Sequence, residues 1–419
     1  MLALETLDGT TACAEPPARL STRVYGYVPY WTASKKTWDY QGLTDLALFS
    51  VGASDSGALT STTFWRSSQA RMLIDEAHRH GIKVELAITN FDPASLHTLL
   101  SSSAAVNTLV AALVKEALVT QPGDGLSIDF EGLRSADRSA LVEFIRKLRA
   151  AMKAMRSDSQ LSLATPAVDW SGAYDYAGLA EQSDTLFIMG YGYHWSGSSS
   201  PGPGAPLSCG PPWGNICLSK TVADYVKALG PGLRHKIVLG LPLYGYDYPA
   251  DSDKIGAKAL GSGNAILYSA ARAQVMSRRY EPISQTPWYV YTDAKGTLHQ
   301  AWYEDEESIG KKLDFIVEQK IGGVGFWALG YEDASLWTLL HKKLALPPPS
   351  PPTTGPLPPL PSVHDNPPQE MDSLTESQGC SLSRSSNGAT PGAVALLPMG
   401  LLLFGAWHRR RSLSTSLRG

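Results

Sequence analysis

Between Arg23 and Leu346 the chain alternates short apolar runs with stretches whose apolar positions recur every three or four residues. The short runs are VYGYVPYW (24 to 31), LALFSV (46 to 51), KVELAITNF (83 to 91), GLSIDFE (125 to 131), LSLATPAV (161 to 168), TLFIMGYGY (185 to 193), KIVLGLPLYGY (236 to 246) and GGVGFWALG (322 to 330). Their length and apolar density predict strands. The stretches between them predict amphipathic helices, for instance SSQARMLIDEAHRHG with Gly81 as its stop, and RSALVEFIRKLRAAMKAM. Strand and helix repeating in this way over roughly 320 residues predict an α/β fold, a (β/α)8 TIM barrel. A doubly wound open sheet is the alternative, weakened in its dinucleotide-binding form because no G-x-G-x-x-G turn follows the first strand. Residues 249 to 300 break the alternation. They predict a small α+β insertion between strands seven and eight, with a helix around Ser269 to Arg279. A hairpin should run from Trp288 through the turn Asp293 to Gly296 and back from His299 to Tyr303.

The ends of the chain follow a different pattern. Of the 29 prolines, those clustered between Pro347 and Pro368 mark residues 347 to 378 as an extended, semi-rigid linker rather than part of a core. Residues 379 to 419 hold a nearly unbroken apolar run, Ala393 to Trp407, followed by His408 and three arginines, the pattern of a membrane segment with a positive stop. The Gly379-Cys380-Ser381 triplet, the apolar run and the Arg cluster together resemble the tripartite sorting tails of the MYXO-CTERM kind. That resemblance implies an exported protein, anchored or processed at its C-terminal tail on the cell envelope or surface. Residues 1 to 22 have neither a basic start nor an apolar run long enough for a signal peptide, and are expected as an unstructured leader.

Composition narrows the chemistry. Lys+Arg of 36 against Asp+Glu of 39 leaves a net charge of -3, which lacks the basic excess of a phosphate-backbone binder, so no nucleic acid partner is expected. Trp (11) and Tyr (18) outnumber Phe (9), giving amphipathic rings that suit sugar faces as well as cores. The four cysteines share no metal-ligand spacing, so no zinc is expected. Cys209 and Cys217 lie in a Pro/Gly-rich loop and could close a small disulfide ring in an exported protein.

The strongest chemical signal is Asp124-Gly-Leu-Ser127-Ile-Asp129-Phe-Glu131. Strand alternation puts Ser127, Asp129 and Glu131 on one face and Leu126, Ile128 and Phe130 on the other. With the apolar face against the helices, both carboxylates point into the barrel at the end of the strand where barrel enzymes hold their catalytic groups. Two like charges so placed should leave one carboxyl protonated near neutral pH, giving a general acid beside an ionised partner.

The octapeptide resembles the D-G-x-D-x-D-x-E signature of glycoside hydrolase family 18, the chitinases and related β-N-acetylglucosaminidases, and the likeness extends over residues 23 to 346. The resemblance implies that Glu131 protonates the glycosidic oxygen and that Asp129 orients the substrate N-acetyl group. The acetamide oxygen would itself attack the anomeric carbon, in substrate-assisted retaining catalysis with no metal or cofactor. Met189-Gly190-Tyr191 resembles the family's M-x-Y segment, which gives Tyr191 the acetamide hydrogen bond. Trp327 matches the tryptophan under the distorted sugar. The VYGYVPYW, LGLPLYGYDY and AWYED segments look most like the branch with spore-cortex and cell-wall glucosaminidases. That likeness makes Tyr27, Trp31, Asn90, Tyr244 and Trp302 candidate cleft liners beside Asp124, Ser127 and Met189. Two departures stand out. Ser127 replaces the middle Asp and cannot take up charge, and Gly192 replaces the Asp or Asn that commonly follows the Tyr. Ser127 motivates a competing reading, a carbohydrate-binding, lectin-like protein without catalysis; a transglycosylase would use the same residues. The expected partner is an N-acetylglucosamine-containing polysaccharide, chitin or peptidoglycan, acted on by a monomer held to the membrane by its tail. Tyr303-Glu-Asp-Glu-Glu307 reads as the acidic first turn of a helix from Ser308 to Gln319.

Overall fold

Eight parallel strands close on themselves in the computed structural model, which describes residues 20–35, 37–271 and 277–346. The expected Pro-rich linker, the sorting tail and most of the expected leader lie outside the described residues. In chain order the strands are β1 (Arg23–Pro29), β2 (Asp45–Ala53), β3 (Leu59–Thr60), β4 (Lys83–Asn90), β5 (Gly125–Phe130), β6 (Gln160–Pro166), β7 (Thr185–Met189), β8 (Ile237–Pro242), β9 (Tyr244–Pro249), β10 (Asn264–Leu267), β11 (Arg279–Glu281), β12 (Thr286–Thr292), β13 (Leu298–Trp302) and β14 (Gly323–Trp327). The barrel runs β1-β2-β4-β5-β6-β7-β8-β14 and closes through the β1–β14 pairing, Arg23 to Gly323 and Gly26 to Phe326. Each expected strand run overlaps one of these eight, so the barrel stands and the open sheet falls.

The helices cap where their sequence says they should. Ser67 accepts from the Ala70 N–H at the start of helix Ser68–Arg79, and Gly81 ends that segment at φ 73°, a conformation that costs glycine nothing. Leu141, Phe144, Ile145, Leu148 and Met152 form the buried stripe of helix Arg138–Met155. Inside the barrel the central filler is Phe187, whose ring lies against Tyr25 and Tyr27. Glycines on the neighbouring strands make room for it, since a Cβ at Gly240 or Gly325 would come within 2.3 or 2.1 Å of that ring.

The apolar run 236 to 246 serves two sheets. Its first half is β8 of the barrel, and after Leu243 it continues as β9 of a separate five-stranded antiparallel sheet, ordered β10-β9-β13-β12-β11. The hairpin expected from Trp288 forms in the register Trp288 to Trp302 and Thr292 to Leu298. In its turn Asp293 accepts from the Lys295 and Thr297 N–H groups, and Gly296 sits at φ 84°. The helix expected over Ser269 to Arg279 begins at Tyr268, residues 272–276 fall outside the described residues, and Arg279 is already in β11.

A correction concerns the acidic run before the last but one helix. Glu306 and Glu307 do occupy the first turn of helix Glu306–Gln319, with Asp305 as its cap. Glu304 instead lies fully buried against Lys312 at 2.5 Å, where a like-sized apolar pair would avoid the desolvation cost of two charges.

Candidate active site

β5 delivers the acidic motif as strand alternation requires. Leu126, Ile128 and Phe130 are buried toward the helices, with Phe130 stacked on Phe144 of helix Arg138–Met155. Ser127 and Asp129 face inward. Glu131 follows at the strand's C-terminal end, where its N–H is held by the Asn90 carbonyl at 3.0 Å. Burial raises the proton affinity of both carboxyls, and the charge on Asp129 raises that of Glu131 further, so Glu131 keeps its proton well above the ordinary carboxylate range. Asp129 Oδ1 is buried with no hydrogen-bond partner among the described residues. An orphaned carboxylate oxygen next to a protonated carboxyl leaves an acceptor free for a donor that the substrate brings.

Around this pair, β7 brings Met189 and the segment just after it brings Tyr191, whose ring lies 6.2 Å from that of Tyr244 on β9. β14 brings Trp327, edge-on to Phe49 at 4.8 Å and 5.6 Å from Tyr27. Trp31 stands in the same aromatic wall, its indole N–H donating to the Tyr331 hydroxyl at 2.9 Å. Tyr27 meets Ser127 directly, hydroxyl to hydroxyl at 2.8 Å. Gly192, in place of the more usual side chain, takes φ 79° with open space where a Cβ would sit. The backbone there is in the left-handed region that Gly, Asn and Asp share most readily.

Two candidate residues, Asp124 and Trp302, do not join this group, and a third, Asn90, borders it through its backbone carbonyl. Asp124 sits at the opposite, N-terminal end of β5, where its carboxylate accepts from the Val84 N–H at 2.8 Å, meets His78 at 2.7 Å and faces Lys83 and Arg156. Its work is to tie the barrel floor to helix Ser68–Arg79. Asn90 spends its amide on the Ala53 carbonyl and Ser95, and its oxygen on the Asp92 N–H, which shapes the loop after β4. Trp302 is buried in the second sheet, stacked on Trp288 at 4.9 Å. Conversely, the cleft at Glu131 has a wall the motif does not announce. Pro166, Val168, Asp169, Trp170 and Tyr174 line it together with Met189. Trp170 is 54% exposed, and Asp169 fixes the turn beneath it through the N–H groups of Ala173 and Tyr174. The available signal was an exposed-type Asp-Trp-Ser-Gly following directly on strand residues 161 to 168. Cys209 and Cys217 do form a disulfide, with Cα atoms 5.3 Å apart. Among the described residues no group of three or more His, Cys, Asp or Glu could hold a metal ion.

A closed barrel with two buried carboxyls, both pushed toward the protonated form, at the top of its fourth barrel strand is a layout that suits a glycosidase. The profile of glycosyl hydrolases family 18 matches residues 23–332, and the chain belongs to that family as a glycosidase. It is 32% identical over 246 residues to YdhD of Bacillus subtilis (strain 168), covering 57% of this chain and 54% of that one. It is 27% identical over 314 residues to the cortical fragment-lytic enzyme of Bacillus anthracis, covering 73% and 69%. The chain thus spans between about half and somewhat over two thirds of these relatives' length. The crystal structure of the Bacillus cereus spore cortex-lytic enzyme SleL matches with a TM-score of 0.62 at 24% identity, over 77% of this chain and 74% of that one, a likeness of fold.

Proposed function

We propose that the protein hydrolyses β-1,4 bonds next to an N-acetylglucosamine in a cell-wall glycan, with retention and with the substrate's own acetamide as nucleophile. The observation that carries this reading is the carboxyl pair at the end of β5: Glu131 lines the cleft with its proton affinity raised by burial and by Asp129, and Asp129 beside it has an unsatisfied oxygen. In the first step the Glu131 proton passes to the glycosidic oxygen as the C1–O bond breaks, while the acetamide oxygen forms a new bond to C1. Asp129 accepts the acetamide N–H and offsets the positive charge of the oxazolinium; the Tyr191 hydroxyl donates to the acetamide carbonyl side. Water then attacks C1, the ring opens, and the proton released returns to Glu131. Trp327 and the exposed face of Trp170 supply aromatic surfaces for the sugars on either side.

Glu131→Gln keeps the shape of the side chain and removes its proton. We expect it to lose at least about 10²-fold in kcat, within the range of general-acid effects, with KM little changed. Digestion of chitooligosaccharides and of peptidoglycan fragments, followed by mass analysis, checks this and tells the two polymers apart. Turnover by Glu131→Gln equal to wild type would refute the assignment, and product from wild type alone separates the enzyme from a lectin-like binder.

The reading extends to location. The Cys209–Cys217 disulfide suits an oxidising compartment, and the apolar C-terminal run with its arginines suits an envelope anchor. Deleting Gly379 to Gly419 should release active enzyme in soluble form, measured by activity in membrane and soluble fractions. Retention on the membrane after that deletion would overturn the anchor.

A further inference from the structure

The mouth of the barrel has two unlike sides. On one, Trp327 of β14, Tyr27 and Trp31 of the β1 segment and Phe49 of β2 pack together, with ring centres 4.8 to 6.5 Å apart. These three strands are neighbours in the ring of eight. The cleft at Glu131 opens on the opposite arc, over β5, β6 and β7, where Leu133, Pro166, Val168, Met189 and Trp170 give it apolar walls. The described residues that line it include neither Trp327 nor Tyr191, so it lies beyond the place assigned to the acetamide of the reacting sugar.

The turn that carries Trp170 is braced from three directions. Asp169 Oδ1 accepts from the Ser171 hydroxyl at 2.9 Å and the Ala173 N–H at 3.2 Å, and its Oδ2 accepts from the Tyr174 N–H at 2.8 Å. Arg138, at the start of the helix after β5, donates to the carbonyls of Gly172 and Tyr174 at 3.3 and 2.8 Å. The Tyr174 hydroxyl donates to the Phe130 carbonyl at 2.7 Å, on the peptide that leads into Glu131. The turn is thus fixed to the strand end that carries the acid, while Trp170 leaves 54% of its surface to solvent. A single exposed ring on a surface needs no function. This one shares a cleft with Glu131 and is held in place before any ligand arrives, which removes an ordering cost from binding. Asp169 is committed to the turn, so the recognition surface is the indole and its apolar neighbours, suited to the C–H face of an uncharged pyranose.

We propose that this cleft is the subsite of the leaving sugar, with Trp170 as its platform, and that it gives the enzyme a second activity, transfer of the cleaved glycan to another sugar. With the reacting sugar over Trp327 and the scissile oxygen at Glu131, the next sugar along falls on the arc of Trp170. Forward and reverse steps share one path, so the surface that releases the leaving sugar also receives a sugar that attacks in place of water. In that step the acceptor O4 bonds to C1 as the C1–O bond of the oxazolinium breaks and the acetamide is restored. The O4 proton passes to the ionised Glu131, and no water is consumed.

The proposal rests on the assignment of Glu131 above, and two donors separate them. Chitotetraose, or the corresponding peptidoglycan tetrasaccharide, needs a leaving sugar; chitobiose oxazoline enters as the intermediate and has none. In Trp170→Ala the ratio of kcat/KM for the tetrasaccharide to that for oxazoline hydrolysis should fall at least about tenfold, the effect of losing one well-packed aromatic contact. Trp170→Phe, which keeps a ring, should restore most of that ratio. Wild type given chitobiose oxazoline and excess chitobiose should also form chitotetraose, followed by mass analysis, and Trp170→Ala should lose at least about tenfold of this product relative to chitobiose released by hydrolysis. An equal fall on both donors, or transfer unchanged in Trp170→Ala, would overturn the subsite while leaving Glu131 in its role. Wild type that consumes neither donor would overturn the assignment of Glu131, and the subsite with it.

Discussion

At the scale of single residues, strand periodicity made the two reacting carboxyls legible and little else. Asp129 and Glu131 could be placed on one face because a strand has only two. Asp124 could not, since its motif position says nothing about which end of the barrel it occupies, and its partners His78, Lys83 and Arg156 come from distant segments. Glu85 is the one charged residue inside the apolar run VELAI, on the face that turns inward. The coupling between Asp129 and Glu131 gives a pH prediction with a definite sign. Ionised Asp129 makes ionisation of Glu131 harder, so it moves the loss of the acid to higher pH. Asp129→Asn removes that charge. Its residual kcat/KM should therefore lose its alkaline limb at lower pH than wild type does, alongside a fall in rate; a limb that stays or moves upward would show that the two groups do not interact.

At the scale of elements, the strands and helices were readable from period and caps, while the second sheet shows what the pattern hides. Nothing in KIVLGLPLYGY marks Leu243 as the point where one sheet ends and another begins; the change follows from β9 finding β13 as its partner. The likeness of the AWYED segment places Trp302 at the cleft, but aromatic residues of a hairpin can face either side, and the register Trp288 to Trp302 turns it into the second sheet's core. That same tryptophan receives the disulfide loop. Trp213, within the ring closed by Cys209 and Cys217, lies 5.1 Å from Trp302 and donates its indole N–H to Glu281 at 2.6 Å. The ring therefore holds an anchor in place rather than decorating the surface. With a sequence separation of 8 the chain-entropy cost it removes is about 2.5 kcal/mol. Replacing both cysteines by serine should lower the melting temperature by a few degrees and make wild type and variant alike under reductant. Equal melting temperatures without reductant would mean that Trp213 and Glu281 fix the loop unaided.

At the scale of the whole molecule, the barrel's closure determines which length of chain is a folding unit. The repeat of eight strands was visible in the sequence, but closure depends on the two ends meeting. Here β1 pairs with β14, Leu20 bridges to Ala345, the Ser21 N–H donates to the Leu344 carbonyl at 2.7 Å, and His341 meets Asp39 at 2.7 Å. Residues 20–22, expected to belong to an unstructured leader, are thus part of the seam. The last described helix, Ala334–Leu344, seals it by burying Leu336, Trp337, Leu340 and Leu344, with Trp337 packed so closely on Gly42 that a Cβ there would come within 2.7 Å of the ring. Four such side chains at about 1.5–3 kcal/mol each amount to most of the 5–15 kcal/mol by which a typical domain is stable. A fragment of residues 20–346 should therefore unfold cooperatively at the melting temperature of the full chain and retain its kcat. A fragment ending at residue 333 keeps every catalytic candidate yet should show no cooperative transition by calorimetry. A folded, active 20–333 fragment would mean that strand pairing alone closes this barrel.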